Sequence, residues 1–373
     1  MIPFNKPFLT GKETQYIEEA VHSGKISGDG IFTKKCHQFF EERYGFKKCL
    51  LTTSCTDALE LAALLIDIQP GDEVIIPSYT FVSTANAFAL RGAKIIFADS
   101  SGINPNLDAS ALEALITSKT KAIVPVHYAG IACDMNTIMA LADKYKLWVI
   151  EDAAQAIDSF YYDRPLGSIG HMGAFSFHET KNIISGEGGM LAINDEAFSK
   201  RAEIMREKGT NRSAFFRGEV DKYGWVDIGS SFLPSEVISA FLFAQLENLD
   251  QIQERRKYLW NRYWEGLYEP LHDKGIGFPR FIDGATNNAH MFYIVCKDLE
   301  QRTQLLSALK ANDILAVFHY LSLHKSPYFK EKYEGSELPW SDYYSDALVR
   351  LPLFYELSDS DQDRIISTIL KSI

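Results

Sequence analysis

The chain has 373 residues, of which 46% are hydrophobic, 23% charged and 13% aromatic. That composition excludes a disordered polymer and, at ~150 residues per domain, divides into two or three units. A formal net charge of −11 excludes nucleic acid and an anionic membrane surface as main partners, since either demands a basic face, but it leaves room for a small anion held by a few local donors.

The opening Met1-Ile2-Pro3-Phe4-Asn5-Lys6-Pro7 lacks the charged, apolar and small-residue order of a secretory leader. No uncharged apolar run reaches the ~18 residues of a membrane span, so a cytoplasmic protein is expected. Five cysteines, an odd number with no C-x-x-C pair, argue against a disulfide framework or a zinc site, and no metal is expected. Apolar runs then alternate with helical patterns. Strands are expected at Cys49–Thr52, Glu73–Pro77, Ala93–Ala98, Lys121–Val126 and Leu147–Ile150. Helices are expected at Asp57–Ile66, Ser83–Leu90 and Met135–Tyr145. This alternation implies a mostly parallel sheet covered on both faces, with ligands beyond the carboxyl ends of its strands. Past Ser235 one long helical stretch is expected over Val237–Trp264. A strand at Ala289–Cys296, a helix at Gln301–Ala311 and a strand at Leu315–Tyr320 follow. The expected division is a large domain over 1–249 and a smaller α+β domain over 250–373.

Four local features carry chemistry. Thr52-Thr53-Ser54-Cys55-Thr56 lies between a strand and a helix, where free amides and hydroxyls make either a phosphate cradle or an ordinary cap. Glu151 and Asp152 end a buried strand, and Asp152 with Gln155 also has the form of a capping box. In Gly173-Ala174-Phe175-Ser176-Phe177-His178-Glu179-Thr180-Lys181-Asn182, a lysine follows a strand; alone it reads as a surface charge, and His178 as a structural histidine. Ser185-Gly186-Glu187-Gly188-Gly189 is a glycine-rich turn with neither the dinucleotide nor the triphosphate spacing. In combination, cradle, strand-end aspartate and strand-end lysine are what pyridoxal phosphate requires: the lysine forms a Schiff base with the aldehyde and the aspartate keeps the pyridine nitrogen protonated.

The F-S-F-H-x-x-K-N, E-D-A-A-Q and G-E-G-G stretches together resemble the DegT/DnrJ/EryC1/StrS family of sugar aminotransferases, from Ile2-Pro3-Phe4 to Leu351-Pro352-Leu353. The resemblance implies the type I (aspartate aminotransferase-like) fold of the pyridoxal-phosphate-dependent transferases. It also implies a homodimer or larger assembly with the active site at the interface. It makes Lys181 the Schiff-base lysine and Asp152 the partner of the ring nitrogen. Gln155 would lie near the ring hydroxyl, Ser54, Cys55, Thr56 and Ser176 at the phosphate, and Phe81 against the ring. Two departures stand out. Ser54-Cys55-Thr56 replaces the family's Ser-Gly-Thr, and Gly229-Ser230-Ser231 lacks the asparagine that reaches a neighbouring subunit's phosphate, leaving Ser231 as its replacement.

A lysine at 181, where the family's sugar dehydratases carry histidine, favours amine transfer. The stretch Arg206 to Tyr223 resembles the branch that makes dTDP-4-amino-4,6-dideoxygalactose from dTDP-4-keto-6-deoxyglucose with L-glutamate. Lys208, Arg212, Arg217 and Lys222 there suit a nucleotide diphosphate or form a solvated charged loop. The same resemblance places Gly28, His178, Lys208, Asn211, Arg212, His319 and Tyr320 at the nucleotide-sugar substrate. A 3-keto or a UDP- or GDP-linked sugar as acceptor, and a non-catalytic regulator that binds the cofactor, remain open.

Overall fold

The computed structural model describes residues 1–373. Its strands, in chain order, are β1 (Lys48–Thr52), β2 (Glu73–Pro77), β3 (Lys94–Ala98), β4 (Thr120–Ile123), β5 (Trp148–Asp152), β6 (Phe160–Tyr161), β7 (Arg164–Pro165), β8 (Met172–Ser176), β9 (Gly189–Ile193), β10 (Phe292–Val295), β11 (Val317–Phe318) and β12 (Leu348–Leu351). Seven of them make the central sheet, in the order β1-β9-β8-β5-β4-β2-β3. Pairing is parallel from β8 through β5, β4 and β2 to β3, and β9 runs against both β1 and β8.

Side chains alternate across this sheet because the strand period is two. Ile75, Ile123, Val149 and Phe175 enter one core, which also holds Phe40 of helix Ile31–Tyr44 and Ile138 of helix Met135–Tyr145. Their neighbours Val74, Ile76, Ile150 and Ala174 enter a second core with Leu61 of helix Cys55–Leu65 and Phe88 of helix Val82–Ala89. The fold is therefore the doubly covered, mostly parallel sheet that the sequence pattern implies.

The same alternation separates the two acids at the end of β5. Glu151 follows Val149 to one face, where it is fully buried. There it accepts the amide hydrogens of Gly167 (2.7 Å), Ile169 (2.7 Å) and Gly170 (2.6 Å) and lies 2.8 Å from His127 Nε2. Cys133 donates its amide to His127 Nδ1, so Nε2 carries the proton that Glu151 accepts. Asp152 points to the other face.

Three antiparallel strands, β10-β12-β11, form a second sheet. Helices Leu249–His272, Leu299–Ala311 and Asp359–Ser372 cover it around Leu259, Leu309 and Ile365. Ile2 joins this core and bridges Ile314.

Several expected elements differ, and the strands expected at 289–296 and 315–320 shorten to Phe292–Val295 and Val317–Phe318. The helix expected over 237–264 is two helices, Glu236–Leu246 and Leu249–His272. Asn248 closes the first by donating its side-chain amide to the Ala244 carbonyl at 2.9 Å, the local competition by which Asn ends helices. β4 stops at Ile123 because Pro125 has no N–H for the ladder. At its far end the helix Glu236–Leu246 reaches back across the chain. Glu236, buried, accepts the amides of Gly30 (2.9 Å), Phe32 (2.8 Å) and Thr33 (3.2 Å). This carboxylate caps helix Ile31–Tyr44 in place of the side chain that Gly30 lacks.

Glu151→Ala leaves three buried amides and a histidine without their acceptor. It should destabilise the protein by about 3–5 kcal/mol in urea titrations; a change under ~1 kcal/mol would show that the network adds nothing.

Candidate active site

The carboxyl ends of β1, β2, β5 and β8 open onto one cavity of about 600 Å³. Below β1, Ser54 caps helix Cys55–Leu65 by accepting the Asp57 amide at 3.1 Å. The amides at the start of that helix have no intrahelical acceptor and carry the positive end of its dipole. Thr56 donates its hydroxyl to Ser83 Oγ at 2.8 Å. The first residue of β9, Gly189, lies so close that a Cβ there would sit 2.2 Å from the Ser54 carbonyl carbon and 2.4 Å from the Cys55 nitrogen. Only glycine permits this approach. Cys55 itself has an ordinary negative φ, so the side chain at the family's glycine position introduces no backbone strain.

Asp152 is buried at the head of the cavity. Thr84 donates its hydroxyl to Oδ2 at 2.7 Å and the Ala154 amide donates to Oδ1 at 3.1 Å. Burial raises its pKa, and those two donors and the nearby Lys181 oppose the rise.

Lys181 is presented by a clasp. Phe177 accepts the Ser185 amide at 2.7 Å and donates its own to the Gly188 carbonyl at 2.8 Å, while Glu179 donates to Gly186 at 2.9 Å. Gly186 takes φ +79° at the bend, where a side chain would be strained. The Lys181 ammonium, half-buried at the cavity wall, has its pKa lowered to about 8. Enclosure is the main cause and the positive charge of Arg350 adds to it, while the Asp152 carboxylate opposes it.

The remaining expected residues divide into two groups. Phe81, 55% exposed, lines the same cavity with Ser176, His178, Gln155, His319 and Tyr320. Gln155 takes the Ala129 amide on Oε1 (2.6 Å), which turns Nε2 to Tyr320 Oη at 3.0 Å. His319 Nδ1 is 2.8 Å from Tyr128 Oη, and burial pushes its pKa well down, so the ring is neutral. His178 Nδ1 is 3.0 Å from Thr180 Oγ1.

By contrast, Gly28, Lys208 and Arg212 line a separate open groove of about 1180 Å³. Gly28 is buried at φ +43°, and a Cβ on it would lie 2.3 Å from the Pro234 carbonyl. Asn211 accepts the Gly224 amide at 2.8 Å, and exposed Ser231 bridges Glu207. Arg217 is spent on Glu203 (2.9 Å) and Glu219 (2.7 Å). One chain therefore does not bring these residues to Lys181. The cavity also holds Thr84, His290 and Arg350, which sequence reasoning missed. The available signal for Arg350 is a charge inside the apolar run Leu348-Val349-Arg350-Leu351.

A helix N-terminus with hydroxyls, a buried carboxylate and a lysine of lowered pKa around one cavity fit pyridoxal phosphate. Fold and site together define an aminotransferase of the type I pyridoxal-phosphate class. Residues 7–370 match the DegT/DnrJ/EryC1/StrS aminotransferase family, and the chain belongs to it, with pyridoxal 5'-phosphate as cofactor. It is 33% identical over 377 residues to the spore coat polysaccharide biosynthesis protein SpsC of Bacillus subtilis, covering 99% of this chain and 96% of SpsC. DesV of S. venezuelae, solved with a ketimine intermediate, superimposes with a TM-score of 0.90 at 29% identity over 99% of this chain and 98% of DesV. Spr1654 of Streptococcus pneumoniae, assigned to the sugar aminotransferases and solved in its PMP form, gives 0.92 at 26% over 100% and 99%. No helix of the chain is long and apolar enough to cross a membrane.

A pKa near 8 leaves about one Lys181 amine in four neutral at pH 7.5, against about one in a thousand for an ordinary lysine. Cofactor-free protein reloaded with pyridoxal phosphate should therefore bind it at a rate that climbs to about pH 8 and then levels. Stopped-flow absorbance checks this. A rate still rising tenfold per pH unit above pH 9 would contradict the lowered value.

Proposed function

We propose that the protein transfers an amino group from L-glutamate to the 4-keto carbon of dTDP-4-keto-6-deoxy-D-glucose, giving dTDP-4-amino-4,6-dideoxy-D-galactose. The observation that carries amine transfer is the convergence of Lys181 and Asp152 on one cavity with the hydroxyl-rich helix N-terminus. The nucleotide sugar rests on the exposed Lys208, Arg212 and Lys222, which suit a diphosphate, and on the resemblance of residues 206–223.

Bound pyridoxal phosphate supplies an electron sink for the carbon that loses its proton. The amides of Ser54, Cys55 and Thr56 and the hydroxyls of Ser54, Thr56 and Ser176 would hold its phosphate. Asp152, oriented by Thr84 and Ala154, would hold the ring nitrogen's proton. Gln155, whose side-chain amide is held by Ala129 and Tyr320, would lie beside the ring hydroxyl, and Phe81 would cover one ring face. Nζ of Lys181, neutral in substantial part near pH 8, takes the α-proton of the donor and returns a proton to C4 of the sugar. His178, His319 and Tyr320 line the space left for the sugar.

The cavity opens between a large domain, residues 1–249, and a small one, residues 250–373. Gly28, Lys208, Asn211, Arg212 and Ser231 reach a substrate only if a second copy turns its groove to this cavity, which calls for a homodimer. Exposed Phe216 in that groove suits such a contact. Light scattering should give at least twice the 42.1 kDa chain mass; a fully active monomer would remove the shared site.

Lys181→Ala should lower turnover by on the order of 10⁴-fold and abolish the visible absorbance of the bound cofactor. Mass spectrometry of products from glutamate and a panel of dTDP-, UDP- and GDP-linked 3- and 4-keto sugars names the acceptor. Preference for any other member of the panel overturns the acceptor assignment, and cofactor binding without turnover on all of them leaves a regulator.

A further inference from the structure

His290 stands just before β10 and lines the cavity that holds Lys181, yet no step above uses it. Its backbone is gripped from two sides. Asn288 accepts the His290 amide on Oδ1 at 3.0 Å, and Arg256 of the long helix donates to the carbonyls of Ala289 (3.1 Å) and His290 (2.6 Å). Ala289 is held at φ +52°. Alanine is strained in that left-handed conformation, and strain of this kind persists where the surroundings impose it and gathers at functional sites.

The hydrogen bonds also settle which ring nitrogen carries the proton. The Asn182 side-chain nitrogen donates to Gln253 Oε1 at 2.8 Å and to the Asn288 carbonyl at 2.9 Å, so Asn182 Oδ1 is the acceptor 2.8 Å from His290 Nδ1. Nδ1 therefore holds the proton and Nε2 is a bare acceptor. Lys181, Arg350 of β12, Arg256 and the His319 ring face the imidazole, and with burial they oppose a second proton. No donor of the chain reaches Nε2, and Nζ of Lys181 has no acceptor. An acceptor without a donor and a donor without an acceptor thus share one enclosed space. The residue that fixes the tautomer, Asn182, is the next residue after the lysine, so the two groups are held to a common piece of chain.

We propose that His290 is a positioning residue: its Nε2 accepts an N–H of Lys181 whenever that amine is free of the cofactor, turning the nitrogen lone pair into the cavity. This rests on Lys181 as the reactive amine.

The test uses cofactor-free protein with His290→Asn and His290→Gln. Asn sets its amide nitrogen where Nδ1 stood, keeping the bond to Asn182, and ends short of Nε2. Gln reaches the Nε2 position and gives up that bond. A neutral acceptor favours the ammonium over the amine, so losing it lowers the lysine pKa. The pH at which the rate of pyridoxal phosphate loading levels, about 8 in the parent, should fall by about one unit in His290→Asn and by less in His290→Gln. In single turnovers with glutamate, reloaded His290→Asn should convert on the order of 10-fold more slowly, with half-saturation within about threefold of the parent. An unchanged loading profile in His290→Asn overturns the proposal. So does a rise, which would mean that the imidazole carries a charge. A purely structural tie through Asn182 predicts the reverse order, with His290→Gln the more altered, and that order overturns it too. If Lys181→Ala loads the cofactor with the absorbance of the parent, the reading of Lys181 falls and the proposal with it.

Discussion

Two adjacent carboxylates at the end of one strand, forced to opposite faces by the strand period, are the constraint on which the rest of the molecule depends. Glu151 turns inward and gathers the turn at 167–170 and His127, so the end of β5 has no freedom to shift. The next residue inherits that rigidity. Asp152 can then present one carboxylate to a cavity with its own orientation fixed by Thr84 and Ala154. A charge that must meet a ring nitrogen needs this stiffness more than it needs net binding energy, since misplacement costs rate steeply.

Close approach does comparable work on the neighbouring strands. β9 begins with a glycine pressed against the loop that leads into helix Cys55–Leu65. The turn before it, from Ser185 to Gly188, clasps the backbone that carries Lys181. Cradle and lysine are thereby fixed to each other through one short stretch of chain. The lysine's lowered pKa then follows from enclosure by elements already locked in place.

The parallel strands of the large sheet were legible because they are buried and read as continuous apolar runs: β2 falls at Glu73–Pro77 and the helix Met135–Tyr145 at its expected bounds, whereas the antiparallel β9, directly after the glycine-rich turn, was not expected. Cradle, aspartate and lysine were legible because they sit where such sheets keep their sites. Other features depend on contacts distant in sequence. Asn248 breaks a helix by a bond that no hydrophobic pattern announces. Glu151 looked like half of an acidic pair until its three amide donors, more than a dozen residues away, came into view. Arg350 was hidden in an apolar run, since pairing by β-register alone shows which way a strand residue points. The residues of the open groove were assigned by resemblance, and the single chain keeps them apart from the lysine they were expected to join.

The long-range cap on helix Ile31–Tyr44 bears on the order in which the chain can fold. Residues 73–152 pair β2, β3, β4 and β5 through short crossovers, whose loop closures are cheap and fast. Gly30, Phe32 and Thr33 wait for Glu236, about two hundred residues further along, before their amides find an acceptor. The sheet that bears Asp152 can thus form while the chain is still being made. The groove around Gly28 closes only after residue 236 has returned.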